Sequence, residues 1–324
     1  MVPNLKSQPL VSIIIPVYNG ANYLNEAIDS ALAQTYGSIE IIVVNDGSVD
    51  NGATEKIALS YGDKIRYLFK ENGGVASALN AGIESMSGEY FSWLSHDDVY
   101  YPNKLAVQIS YLQELGRPVM LYSDYDVIDA CSRLIRTVSI FQYQPSDIRR
   151  ALILDYPIHG CTAIIPKECF VRVGCFDERL KTTQDYDMWF RIAKYYDIIH
   201  MNMASIKSRE HSEQGTLTNN SLHFKECNEF YIYSMRSIIN GQTELNSTVS
   251  NEMFCAKCLI SLSERGFHKA SWFALYIYIK LILFEKNKLK LNLIHPIAYF
   301  IAINILRIKN IYAVLRRWKV STCV

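Results

Sequence analysis

Residues 89–98 read EYFSWLSHDD, an apolar run closed by two adjacent carboxylates. The run has the length and aromatic content of a buried strand, yet it ends in Asp97 and Asp98. Such a pair either caps the helix expected over residues 103–115 or holds something positive. The choice between these readings depends on what stands at the ends of the neighbouring strands.

Three earlier stretches repeat the pattern. LVSIIIPV (10–17), IEIIVV (39–44) and IRYLF (65–69) are apolar runs of strand length. Helical spacing follows each of them, over Tyr23–Ala33, TEKIALSYG (54–62) and VASALNAGIESM (75–86). NKLAVQISYLQEL (103–115) does the same after the fourth. Nearly continuous apolar strands alternating with helices predict an α/β fold, a Rossmann-like, mostly parallel sheet flanked by helices. Ligands of such sheets bind outside the carboxyl ends of the strands. Those ends carry YNG with Asn19, NDGS with Asp46, ENGG with Gly73 and Gly74, and SHDD. Loops need turn formers in any case, but four polar tips on one edge predict a polar ligand.

A phosphate alone fits poorly beside Asp97 and Asp98, because like charges 4 Å apart repel by about 4 kcal/mol at an effective dielectric near 20. A divalent cation reverses the sign. Mg²⁺ and Mn²⁺ are commonly held by one or two carboxylates on one side and substrate phosphates on the other. A metal carrying a diphosphate is therefore the functional reading of the pair, and a helix cap is the plain one.

The chain has 324 residues with 49% apolar and 20% charged side chains, which describes a globular protein with one large or two modest domains. Its net charge of +1 hides an asymmetry: from Lys257 onward, twelve Lys/Arg face only Glu264 and Glu285. The eight cysteines are scattered, and no second pair complements Cys255 and Cys258, so reduced thiols are expected. The first thirty residues carry no signal-peptide pattern, and a cytoplasmic location is the expectation.

Five separated blocks, VSIIIPVYNG, IEIIVVNDGS, ENGGVASALNAGI, GEYFSWLSHDD and QDYDMW, occur in order. Together they resemble the family-2 glycosyltransferases of GT-A fold, over about residues 10–215. The resemblance implies a catalytic domain over residues 1–222, with nucleotide-sugar binding in its first half and the acceptor side and base in its second. It implies that Pro16 and Asn19 line the nucleotide pocket and that Asp46 binds the base of the nucleotide. The stretch from Asn72 through Gly73 to Asn80 would approach the nucleotide sugar, Asp97 would contact ribose or sugar, and Asp98 would bind Mn²⁺ or Mg²⁺. His211, in the loop KSREHSEQGT, would complete the metal site or touch the diphosphate, and neutral imidazole suits Mn²⁺ better than Mg²⁺. Arg209 would offset phosphate charge or lie in solvent. Two places depart from the family pattern: Ser95 and His96 stand where an acid is common, and VASALNAG lacks the usual Arg or Lys.

Transfer to an acceptor hydroxyl also needs a base. Met188, Trp189, Ile192 and Tyr196 recur at helical spacing and are expected to pack inward. That leaves Asp185 in the first turn of the helix, where the family carries its base. A first-turn carboxylate that favours the helix dipole is the plain alternative, and Asp187 is the second candidate. Gln184 replaces the acid that the family usually places before the base.

Residues 223–324 read as a helical, basic region. SWFALYIYIKLILF (271–284) and LIHPIAYFIAINIL (293–306) are apolar runs of 14 residues, shorter than the roughly 20 that a membrane-spanning helix needs. Their basic and aromatic flanks fit helices lying in an anionic headgroup region. A helical subdomain packed on the core, or a dimer contact, is the other reading. The interleaving of cations with aliphatic runs argues against nucleic acid, and VLRRW lacks the QxxRW motif of processive synthases.

The expectation is an inverting, metal-dependent enzyme that moves one sugar from a nucleotide-diphosphate donor, with UDP favoured, to a glycan or lipid-linked acceptor at the inner face of the plasma membrane. Two rivals remain. A sugar nucleotidyltransferase wants a basic, glycine-rich loop after the first strand, and PVYNGANYL has no basic residue. A non-catalytic membrane-associated subunit has no need of Asp98 and Asp185.

Overall fold

The computed structural model describes residues 8–211, 220–241 and 249–286. Four strands, β1 (Val11–Val17), β2 (Ile39–Asp46), β3 (Arg66–Lys70) and β4 (Tyr90–Trp93), lie where the sequence places them. Between them run α1 (Leu24–Leu32), α2 (Ala53–Ser60) and α3 (Val75–Ser85). β1 pairs in parallel with β2 on one side and β4 on the other, and β2 pairs in parallel with β3. Val11, Ile13, Ile14 and Ile15 are fully buried, as the unbroken apolar run requires.

The second half of the sheet is not a continuation of that rhythm. After β5 (Val99–Tyr100) and α4 (Lys104–Leu115), the chain forms β6 (Met120–Ile128) and β7 (Leu134–Val138). Then come α5 (Ile148–Leu154), β8 (Ile164–Pro166), α6 (Lys167–Val173), α7 (Gln184–Ile192) and β9 (Ile198–Arg209). The full strand order is β3-β2-β1-β4-β8-β6-β9-β5, with β7 paired to β6. β8 runs antiparallel to β4 and β6, whereas β6 and β9 are parallel. The chain thus moves outward from β1 to β3 and then returns to lay β4 beside β1. The tips of β1 and β4 consequently meet at a topological switch point, where open α/β sheets bind ligands.

That meeting is close. A Cβ on Gly20 would lie 2.4 Å from Cδ2 of His96, so only glycine lets the turn after β1 pass beside the turn after β4.

α7 buries Met188, Trp189 and Ile192 completely, as its spacing predicts. Tyr196 differs, being half-buried in the turn beyond the helix, which ends at Ile192. α4 begins after Asn103, whose own side chain makes no cap bond, and the N–H of Leu105 in its first turn is taken by Gln34 Oε1 at 3.1 Å. Asp97 and Asp98 are therefore not its caps.

Three further helices are described: α8 (Asn220–Asn240), α9 (Asn251–Glu264) and α10 (His268–Lys286). Two compact units divide within α8, between Phe230 and Tyr231. In the second unit α9 and α10 pack together, Phe254, Cys255, Cys258 and Leu262 are buried, and Tyr231 meets Phe267 edge-on at 5.1 Å. Among the described residues, no helix is long and apolar enough to cross a membrane. The apolar run at 293–306 and the cations from Lys288 onward lie outside the described residues.

Candidate active site

The tips of β1, β2 and β3 are laced to one another. Asn19 takes a positive φ of 50° and ties to the loop after β2 through two bonds. Its backbone N–H donates to Ser48 Oγ at 2.9 Å, and its Oδ1 accepts from Val49 N–H at 2.8 Å. Pro16 stands three residues earlier, buried in β1 opposite Val44. Asp46 ends β2 almost wholly buried and accepts three bonds: from Gly73 N–H at 3.0 Å, Gly74 N–H at 2.7 Å and Lys70 Nζ at 2.8 Å. Its backbone carbonyl accepts from Asn72 Nδ2 at 2.9 Å. Gly47 supplies the tight turn beside it, with φ of +71° and no room for a Cβ, which would meet Asn72 N at 2.7 Å. Asn80 bridges α3 to the Phe176 loop, donating to Phe176 O and Glu178 Oε1, both at 2.9 Å. The polar side chains of Asp46, Asn72 and Asn80 are thus largely committed to holding their own loops.

The tip of β4 is different. Asp98 is buried and accepts a bond from Arg209 N–H at 3.0 Å. Burial, reinforced by the neighbouring Asp97 carboxylate, pushes its carboxyl up to about 8, although bonds from Arg209, Cys161 and Ser208 partly offset this. One ligand atom each from Asp98, His159 and Cys161 lies within 4.8 Å of the others. Burial pushes the His159 imidazole down to about 4 and the Cys161 thiol well above its usual range. Cys161 also packs its sulfur on Ser95, 3.2 Å from Oγ.

His211 is bonded to Asp97, with Nε2 2.9 Å from Oδ2, rather than to Asp98. Of the two readings of Arg209, the structure overturns the solvated one. It is fully buried at the end of β9, and its guanidinium donates to Asp97 O at 2.9 Å, Ser132 Oγ at 2.9 Å and Glu26 Oε2 at 2.8 Å. The group also stacks over the Tyr23 ring at 4.3 Å.

Asp185 lies in the first turn of α7. Tyr156 Oη donates to its Oδ2 at 2.6 Å, from a residue held at a positive φ of 46°. Burial pushes the Asp185 carboxyl up to about 6, and the Tyr156 bond restrains the rise. A carboxylate poised there takes a proton near neutral pH more readily than an ordinary aspartate. The other candidate, Asp187, is spent on an ion pair with Arg191 Nε at 2.7 Å. The Tyr156 ring stacks on Tyr186, with centroids 3.4 Å apart.

Two links join these groups. The chain from Tyr156 to Cys161 runs directly from the partner of Asp185 to the neighbour of Asp98. Lys181, just before α7, donates from Nζ to Gly73 O at 2.9 Å and so reaches the loop that Asp46 holds. Sequence reasoning missed Tyr156, His159, Cys161 and Lys181. The only signal for the first three was the polar cluster YPIHGC (156–161) between two apolar segments, and Lys181 lay outside it.

The sequence model for glycosyl transferase family 2 matches residues 12–201. An uncharacterized glycosyltransferase of Rickettsia prowazekii is 48% identical over 82% of this chain and 84% of its own length. Other Rickettsia relatives reach 56% identity, and the chain spans about 37% of their length. Among solved structures, Staphylococcus aureus TarS 1–349 in complex with UDP-GlcNAc superposes with a TM-score of 0.63 at 18% identity, over 84% of this chain and 81% of that one. The mannosyltransferase PcManGT of Pyrobaculum calidifontis, in complex with GDP-Man and Mn²⁺, gives a TM-score of 0.53 at 18% identity, over 97% and 84%.

Proposed function

Because the chain belongs to glycosyl transferase family 2, we propose that it moves one sugar from a nucleotide-diphosphate donor to an acceptor hydroxyl, inverting the anomeric carbon. The observation that carries this reading is Asp185, a part-buried carboxylate at the start of α7, hydrogen-bonded by Tyr156 and raised to about 6 by desolvation. In the reaction it takes the acceptor's proton as the oxygen attacks the anomeric carbon. The bond from that carbon to the diphosphate oxygen breaks on the opposite face, and the nucleoside diphosphate leaves with the electron pair. No covalent sugar–enzyme bond forms.

Asp98 would hold Mn²⁺ or Mg²⁺. The donor set fits a hard cation: a buried carboxyl raised to about 8, whose ionised form lacks a guanidinium because that of Arg209 is turned to Asp97 O and Glu26. When bound, the ion would stabilise charge on the departing diphosphate. The Cys161 sulfur suits softer metals and keeps its proton, so the carboxylate and donor phosphates would dominate the set. A UDP-sugar donor is supported by the UDP-GlcNAc complex of the fold neighbour TarS. A glycan or lipid-linked acceptor at the cytoplasmic membrane face is supported by the basic, aliphatic composition beyond Lys257.

Asp185→Asn tests the reading. Transfer should fall by about 10²–10⁴-fold, the usual contribution of a positioned base, while UDP binding by calorimetry stays as in the wild type. Near-normal turnover in that variant would overturn the assignment.

A further inference from the structure

Glu226 lies on α8, beyond the stretch matched by the family model, and is almost fully buried. Its carboxylate accepts four bonds, all from the three residues that lead into α7. Lys181 N–H donates at 3.0 Å, Thr182 N–H at 2.9 Å, Thr182 Oγ1 at 2.8 Å and Thr183 Oγ1 at 3.2 Å. A carboxylate accepting that many bonds defines both the direction and the depth of the segment it holds.

The segment stands between two parts of the site. At its downstream end α7 starts, with Asp185 as the second helical residue. At its upstream end the Lys181 side chain reaches Gly73 O at 2.9 Å, and Gly73 N–H in turn is bonded to Asp46. α8 also supports the base by a second route: Phe230 meets Tyr186 edge-on at 5.6 Å, Tyr186 stacks on Tyr156, and Tyr156 bonds Asp185. Glu226 makes no hydrogen bond to Asp185 itself.

We propose that Glu226 is a positioning residue for the transfer, fixing residues 181–183 so that Asp185 and the Gly73–Gly74 turn keep one spacing. The inference rests on Asp185 being the base. A base displaced by about 1 Å costs on the order of 10²-fold in rate without loosening the donor.

The test uses the full chain with Glu226→Ala, Glu226→Gln and, for reference, Asp185→Asn. Turnover is read as UDP release from UDP-GlcNAc, donor-side binding as calorimetry with UDP and Mn²⁺, and local order as amide exchange over 181–183. Glu226→Ala should lower kcat by about 10–100-fold, leave UDP affinity unchanged and speed exchange at 181–183. Glu226→Gln, which keeps one acceptor oxygen, should recover part of the rate. Faster exchange with wild-type kcat overturns the inference, and so do equal losses of kcat and UDP affinity. If the alanine variant fails to fold, the glutamine variant decides: a lowered kcat at unchanged UDP affinity supports the role, and an unchanged kcat overturns it. A dead Asp185→Asn beside a wild-type Glu226→Ala removes this inference alone, whereas an active Asp185→Asn removes the base reading as well.

Discussion

Asp46 and Asp98 end neighbouring parts of the same sheet and look alike in the sequence, yet their surroundings differ in kind. Asp46 receives a lysine and two backbone N–H groups and uses its charge to hold the loop after β3. Asp98 receives no cationic side chain, and burial beside Asp97 holds its carboxyl far above the ordinary range. The first carboxylate has a cationic side chain beside it, whereas the second has only the Arg209 N–H, Cys161 and Ser208 as donors. Burial alone does not mark a reactive acid; what matters is whether the fold supplies its counter-charge.

This contrast breaks most directly at Asp98. Asp98→Ala should remove the Mn²⁺ dependence of UDP binding, with a loss of at least about 100-fold, since changes outside the ligand set already cost 10–100-fold. Calorimetry with and without Mn²⁺ reads it, and an unchanged metal dependence would give Asp98 the same structural standing as Asp46. Asp46→Ala should act the other way, lowering thermal stability by about 1–3 kcal/mol through the orphaned N–H groups of Gly73 and Gly74, while metal dependence persists.

A smaller effect sharpens the comparison. As the proposed base, Asp185 would have to be ionised to act, so kcat should fall as pH drops through about 6, the value to which burial raises it. Tyr156→Phe removes a bond that favours the ionised form, and the midpoint should move upward in a pH–rate profile. Stability runs the opposite way. A carboxyl raised from 3.8 to about 6 in the fold binds its proton more tightly than in the unfolded chain, so stability is lost as pH rises through that window. Asp185→Asn should flatten that part of the melting curve's pH dependence.

The parallel half of the sheet was legible because each strand is local, apolar and closed by its own turn. The other half was not, for reasons visible in β6 and β9. LYSDYDVI reads as too polar for a central strand, but its polar groups are matched by residues far along the chain. Asp124 pairs with His200 at 2.8 Å, Ser123 with Ser205 at 2.6 Å, and Asp126 accepts from Thr137 at 2.6 Å. Periodicity cannot register a satisfaction that comes from 76 residues away. The site divides likewise. Its acids stood out by type and by position at strand tips, but Tyr156 and Glu226 acquire meaning only through contacts 29 and 44 residues distant. Arg209 looked available because nothing in its neighbours announces Glu26, 183 positions earlier.

The strand order has one more consequence, for life in a crowded cell. A sheet stops where a strand has an unpaired flank, and such flanks invite copies of the same chain to join end to end. Here the path finishes on one side at β5, two residues long, and on the other at β3, whose five residues begin with Arg66 and finish with Lys70. Exposed Phe69 immediately precedes that lysine in the strand. Brevity guards the first margin and charge the second, whereas β7, bonded in the sheet to β6 alone, keeps a third flank with Leu134 and Ile135 exposed, so among the described strands it is there that copies would be expected to pair.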